Sequence, residues 1–455
     1  MQKQDLEVAI AVNRYGLGSR PGEWQAAKRD PKQWLLDQMV SPQFDPAVGN
    51  LDMAYDALAV SRDMKKQKKQ MLAQGMEAEK GKNDPTKGLQ RNLIRDGFER
   101  SLMTEQPFSM RMFDFFSNHF SITTGGNVLG AVGPLLEREA IAPNLFGRFE
   151  HMLLAVEQHP AMLVYLNNEK SIGPHSRMGK KKGGGLNENL AREILELHTL
   201  GVDGGYDLDD IQQLAMAISG WSVSRGRDKE PQQGFIFRQY GHEPGKREIL
   251  GTSYSQQGVK QGQAVLRDLA KHPSTARFIS QKMVRYFISD EPSSDLVDAM
   301  ENTWMQTGGN IKAVTTTMLG HEDAWAPTLE KFKTPREFVI SCLRACDVTP
   351  GSRKTARFNK QFVGTLSAMG QAPFKAGSPA GYSSDNESWT GADALMKRID
   401  WVSQLTDRVK RDPIKVAQQT LGDSLSETTR LAVSRAESRQ QGLALLLLSP
   451  EFQRR

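Results

Sequence analysis

GKKKGGGLNENLAREILELHTLGVDGGYDLDDIQQLAMAISGW, residues 179–221, joins a glycine-lysine loop to two consecutive helical patterns. At roughly 100° per residue, Glu188, Arg192, Glu196, Asn189 and Glu193 fall in order within an arc of about 140°. Leu190, Ala191, Ile194, Leu195, Leu197 and His198 fill the rest of the wheel. One side is therefore acidic and amidic, and the other is apolar. Gly201 suits a helix C-cap, and Asp207 with Asp210 at N3 makes a capping box that opens the second helix. Two helices with a tight connection predict a helical core here.

Outward from this pair, helical signals dominate. Before it, PGEWQAAKRDPKQWLLDQM starts with Pro21 in its first turn, and a long polar helix is expected over 51–80. Its apolar stripe is thin, so mobility is expected there. The aromatic segment FSMRMFDFFSNHFS belongs deep in a core. After the pair, WSVSRGRDKEPQQGFIFRQYGHEPGKREILGTSY, residues 221–254, alternates polar and apolar residues between Gly/Pro turns, which predicts a β hairpin or a three-stranded flap. Helices then resume, interrupted by a Gly/Ser/Pro-rich stretch at 370–388. The fold class expected is mainly α, a multi-helical globular array with one small β element. Its parts are N-terminal helices (1–87), a central helical core (88–220), the flap (221–254), a second helical lobe (255–369), and the loop with C-terminal helices (370–455).

The 455-residue chain is long enough for a large core, and 25% charged against 38% hydrophobic residues excludes a mostly disordered protein. The apolar run LALLLLSP is too short to cross a bilayer, so no membrane span is expected. A net charge of +6 is small for a chain this long, which weighs against nucleic acid as the ligand. Cys342 and Cys346, spaced i,i+4, share one helix face and read as core thiols. The opening MQKQDLEVAIAVNRYGLG lacks the basic start, apolar run and cleavage site of a secretory signal, so either the protein stays inside the cell or an export signal has been removed.

Several groups carry possible chemistry. Gly183, Gly184 and Gly185 could turn backbone N–H groups toward an anion, with Lys180, Lys181 and Lys182 adding positive potential; the order of a P-loop is absent. Glu188, Glu193 and Glu196, if crowded in a cleft, would have split proton affinities suited to acid/base catalysis, or could hold a divalent cation. Solvated i,i+4 pairing of Glu188 and Glu196 with Arg192 is the plain alternative. Arg192, Asn187 and Asn189 would bind substrate, and His119 or His242 would move protons. Trp221 and Tyr240 could form a sugar-stacking wall. No G-x-S-x-G, H-E-x-x-H, dinucleotide-binding or zinc motif is present.

LNENLAREILELHTLGVDGG and DDIQQLAMAISGW, with NRYGLGSRPGE, FFSNHF, HPAMLVYLNNEKSIGP, HPSTARFISQKMVRYF, MGQAPFKAGSPAGY and SPEFQRR, resemble the bacterial family known as domain of unknown function 1800. The likeness spans nearly the whole chain. It departs from the family pattern at Asn167, where aspartate is common, and at the N-terminus, where an export signal is usual. No activity is established for that family. Its genes commonly neighbour those of a sulfatase-like exported family, domain of unknown function 1501, so the resemblance implies an envelope or extracellular role and a protein partner of that kind. The expected function is hydrolysis of an anionic or sugar-containing polymer in a carboxylate-lined cleft. The competing expectation is a noncatalytic binding or assembly partner in which Glu188, Arg192 and Glu196 form a buried network.

Overall fold

The computed structural model describes residues 3–75, 84–183, 185–225, 233–350 and 362–455. Many helices begin on one device, a capping side chain followed by proline. Proline at the first helical position forfeits only an N–H that would be unbonded there, and the preceding side chain accepts a second orphan donor. Asp30, Asp84, Thr334, Asp412 and Ser449 cap helices in this way. His159 and His272 do the same through Nδ1, which explains the two His-Pro segments. The capping box of Asp207 and Asp210 is present, and Thr334 with Glu337 makes another.

These helices pack around one apolar core that runs from Ile10 to Phe452, with a small satellite cluster around Trp24. The Pro107–His119 helix is its centre: ten of its thirteen residues are buried, as its aromatic content requires. Cys342 and Cys346 are buried free thiols. The long polar helix spans Leu51–Ala73; the remainder of the segment expected over 51–80, from 76 onward, lies outside the described residues.

The fold is mainly α with two small antiparallel sheets. Strands β1 (Trp221–Arg225) and β2 (Gln233–Phe237) pair with Trp221 opposite Phe237, and β3 (Arg247–Ile249) pairs with β4 (Thr252–Tyr254). The flap is thus two separate two-stranded pairs; no third strand joins either one among the described residues. Among the described residues, no helix is long and apolar enough to cross a membrane.

Two helices depart from α geometry where it matters. Asn189–Glu193 is α-helical but Ile194–His198 is a π turn, closed by Thr199 Oγ1 donating to the Ile194 carbonyl at 2.6 Å. Gly126–Leu136 carries Pro134 inside it and passes into a π turn at Glu137–Ile141. Pro134 cannot donate, so the ladder is already broken one turn before the register widens.

Candidate functional site

The acidic face of the 189–198 segment is open to solvent. Arg192 Nη2 lies 3.9 Å from Glu188 Oε2, and its Nη1 donates to Glu196 Oε1 at 3.3 Å. All three side chains are more than a quarter exposed, so this is the paired surface ladder and not a confined cleft or a buried network. Glu193 is half-buried, and burial raises its carboxyl above the usual range. Asn189 is exposed, and Asn187 spends its side-chain oxygen on the Asn189 N–H. Lys180 and Lys181 are exposed; Gly184 and the Lys182 side chain lie outside the described residues.

The predicted proton carriers do not converge on that face. His119 is buried; its Nε2 bonds the His198 carbonyl at 3.2 Å and its Nδ1 meets Lys282 Nζ at 3.1 Å. Burial, with Lys282 beside it, holds His119 well below the usual imidazole range, and burial lowers Lys282 to about 8. His198 is buried on the apolar side of its helix, its Nδ1 2.8 Å from Glu157 Oε1 without an aligned hydrogen bond. His242 belongs to the flap, where its Nδ1 bonds the Ser219 carbonyl at 3.0 Å. Trp221 is fully buried, edge-on to Phe235, so it forms no binding wall. Tyr240 is exposed, with the Arg177 guanidinium over its ring. Among the described residues, no three His, Cys, Asp or Glu side chains are placed to hold a metal.

A cavity of about 150 Å³ lies elsewhere, and none of those residues lines it. Its walls are the Pro107–His119 helix, the π turn at Glu137–Ile141, the Pro335–Ala345 helix and the stretch 371–384. Two of the resemblance-bearing motifs, FFSNHF and MGQAPFKAGSPAGY, therefore meet around one space. Asn118 welds them: its amide donates to the Tyr382 carbonyl and accepts the Tyr382 N–H, both at 2.8 Å. Gly381 permits this approach, since a Cβ there would fall 2.5 Å from the Asn118 carbonyl, and its φ of +83° favours glycine. Phe374 holds φ +55°, a strained position for a bulky residue. Its carbonyl accepts the Thr124 N–H at 2.9 Å, and Lys375 Nζ reaches the Thr124 carbonyl at 2.5 Å. Strain held by hydrogen bonds in a cavity wall marks a place where shape is being enforced.

Three charged groups give the cavity its character. Arg336 clamps Asp114, Nε to Oδ2 at 3.3 Å and Nη2 to Oδ1 at 3.0 Å, while its backbone N–H donates to Gln371. Glu337 is buried between Arg111 and Arg455. Burial opposes its ionisation, but the two guanidiniums outweigh it and hold the carboxyl far below the usual range. Glu137 is the contrasting case. Protein surrounds it, yet part of its surface stays accessible because it faces the cavity. Burial pushes its carboxyl up to about 7, with Arg336 and Arg138 opposing and Asp114 adding to the push. The Ser117 hydroxyl stands beside it and also opposes the rise. A proton donor at neutral pH thus stands near an arginine-paired carboxylate.

Glu137, Asp114 and Arg336 went unflagged in the sequence, although signals existed. Asp114 is the one acid in an aromatic run, and Glu137 opens the charged triplet ERE set between apolar residues and prolines in PLLEREAIAP.

No curated protein and no solved structure matches the chain. The model of the family described as "Protein of unknown function (DUF1800)" matches residues 10–454, nearly the whole chain, and the protein belongs to that family.

Proposed function

We propose that the protein is a hydrolase whose reaction chamber is the Glu137 cavity, and that it acts on a terminal unit of an anionic or sugar-containing polymer. One arrangement carries this reading: Glu137 lines the cavity, where burial raises its carboxyl to about 7, close to Asp114, a second carboxylate fixed by arginine. Such a split is what acid/base cleavage of a glycosidic or similar bond requires. Glu137 would protonate the leaving oxygen, and Asp114 would offset positive charge developing on the unit being cleaved. A space of about 150 Å³ accepts one ring-sized group, so the polymer end, not its middle, would enter. Phe113, Phe120 and Phe374 supply apolar wall for a ring face.

The test is release of reducing ends from a panel of acidic and neutral oligosaccharides. Glu137→Gln, nearly the same shape, is expected to lower kcat by roughly 10²- to 10⁴-fold with folding unchanged. A variant that keeps the wild-type rate removes Glu137 from the chemistry.

The noncatalytic reading, an assembly partner for a sulfatase-like protein, is supported by one observation. The charged surface of Lys180, Lys181, Glu188, Arg192 and Glu196 is open to a partner. Titrating the two purified proteins against each other tests it; affinity unchanged by reversing Lys180, Lys181 and Arg192 to glutamate would end it.

A further inference from the structure

Away from the cavity, the Arg177–Lys182 helix meets the turn at Gln239–Gly241, and a histidine-carboxylate pair lies at that junction. The His175 side chain is 73% exposed, whereas that of its partner Glu243 is 4% exposed. Glu243 Oε1 lies 2.7 Å from His175 Nδ1, and Oε2 accepts the His175 backbone N–H at 2.8 Å. The carboxylate is seated from behind as well. The Glu243 N–H donates to Ser219 Oγ at 2.8 Å, and Gly173 packs so closely that a Cβ there would fall 2.5 Å from Glu243 Oε2.

A surface loop can be tied down by an exposed ion pair at little cost. Burying a carboxylate costs far more; the Arg247 guanidinium offsets part of that cost, yet both Glu243 oxygens go to His175, so the arrangement asks for a use. In the tautomer that donates from Nδ1 to Glu243, Nε2 is left with its lone pair. No described residue bonds Nε2. Positive charge follows close behind in the chain: Arg177, two residues on, has its guanidinium 4.9 Å from the centroid of the Tyr240 ring, and Lys180 and Lys181 are exposed on the same helix.

We propose that His175 is a nucleophile that accepts a phosphoryl group on Nε2 from a small phosphoryl donor. The Nε2 lone pair attacks phosphorus and an N–P bond forms. With phosphoramidate as donor, its P–N bond breaks and ammonia leaves with the electron pair. The ring becomes cationic without a proton moving, and the Glu243 carboxylate, 2.7 Å from Nδ1, neutralises that charge as it develops. Arg177 and the lysines draw in the anionic donor. This site stands apart from the cavity, and neither reading of the cavity is needed for it.

The full chain treated with phosphoramidate and mapped by mass spectrometry under alkaline conditions decides the matter. His151 is an internal reference: it is 60% exposed, and its nearest carboxylate, Glu150, stands 3.5 Å from Nε2 instead of gripping Nδ1. His175 is expected to gain the phosphoryl group well ahead of His151, and Glu243→Gln to slow it by roughly 10- to 100-fold, as loss of such a partner does for metal-bound imidazoles. Arg177→Ala should slow phosphoryl transfer but leave carbethoxylation of His175 by the uncharged reagent diethyl pyrocarbonate unchanged. If wild-type His175 is modified no faster than His151, the proposal falls, whatever the variants do.

Discussion

Glu137 and Glu337 show how far environment separates two glutamates that line one cavity. Glu337 faces two guanidiniums and stays ionised, whereas at Glu137 burial outweighs the neighbours that oppose it. The signs of their pH effects are therefore opposite. Glu137 is raised from an ordinary value of 4.5 to about 7, so the folded chain binds the extra proton and stability falls as pH rises through that window. Glu137→Gln should flatten this fall in melting temperature between pH 5 and about 7; an undiminished slope would place its source in another group. Glu337 is lowered, so its contribution is present above its ordinary value and is lost on strong acidification. Removing that charge leaves Arg111 and Arg455 buried without it, and Glu337→Gln is expected to cost about 3–5 kcal/mol by denaturant titration. Neither behaviour was legible in the sequence. The groups that tune Glu137 are Arg336 and Asp114, and only the fold brings them together.

At the level of elements, periodicity and capping chemistry were readable because they are local. The helix pair at 179–221, the Asp207–Asp210 box and the buried aromatic helix all follow from near neighbours. What packs against a face does not follow from its angle on a wheel. Glu188, Arg192 and Glu196 sit together as the spacing requires, but only Tyr206 reaches Glu196 and all three stay partly exposed, so the expected pocket is a surface ladder. Arg192→Ala should accordingly change stability by less than about 1 kcal/mol, two exposed pairs at a few tenths each. A loss of several kcal/mol would mean the ladder is buried against something. The π turns were illegible for a related reason: the 194–198 sequence has ordinary helical residues, and the wider register is fixed by Thr199 and by burial of His198. The Gly/Ser/Pro-rich stretch read only as an interruption between helices, yet it forms a cavity wall, held by two hydrogen bonds from Asn118.

Across the whole molecule, one core ties the N-terminal helices to the C-terminal ones, and the mainly helical class was readable from composition and period. Its long-range fasteners were not. Arg14 donates to the carbonyls of Ala324, Ala326 and Thr328, and Arg344 donates to those of Gly18, Ser101 and Leu102. An arginine placed to satisfy carbonyls on a distant segment carries no local signature. The histidine caps have their own consequence at this scale. His159, His272 and His321 each begin a helix by lending Nδ1 to a backbone donor, and a nitrogen that takes up a proton can no longer lend. His272 is held below its ordinary 6.5 by burial, so its share of stability is lost as pH falls through that value. Mild acid should thus fray the helix start at His272 while the carboxylates are still charged, visible as early hydrogen exchange at 274–276. Replacing His272 by asparagine, an acceptor indifferent to pH in this range, should leave those amides protected.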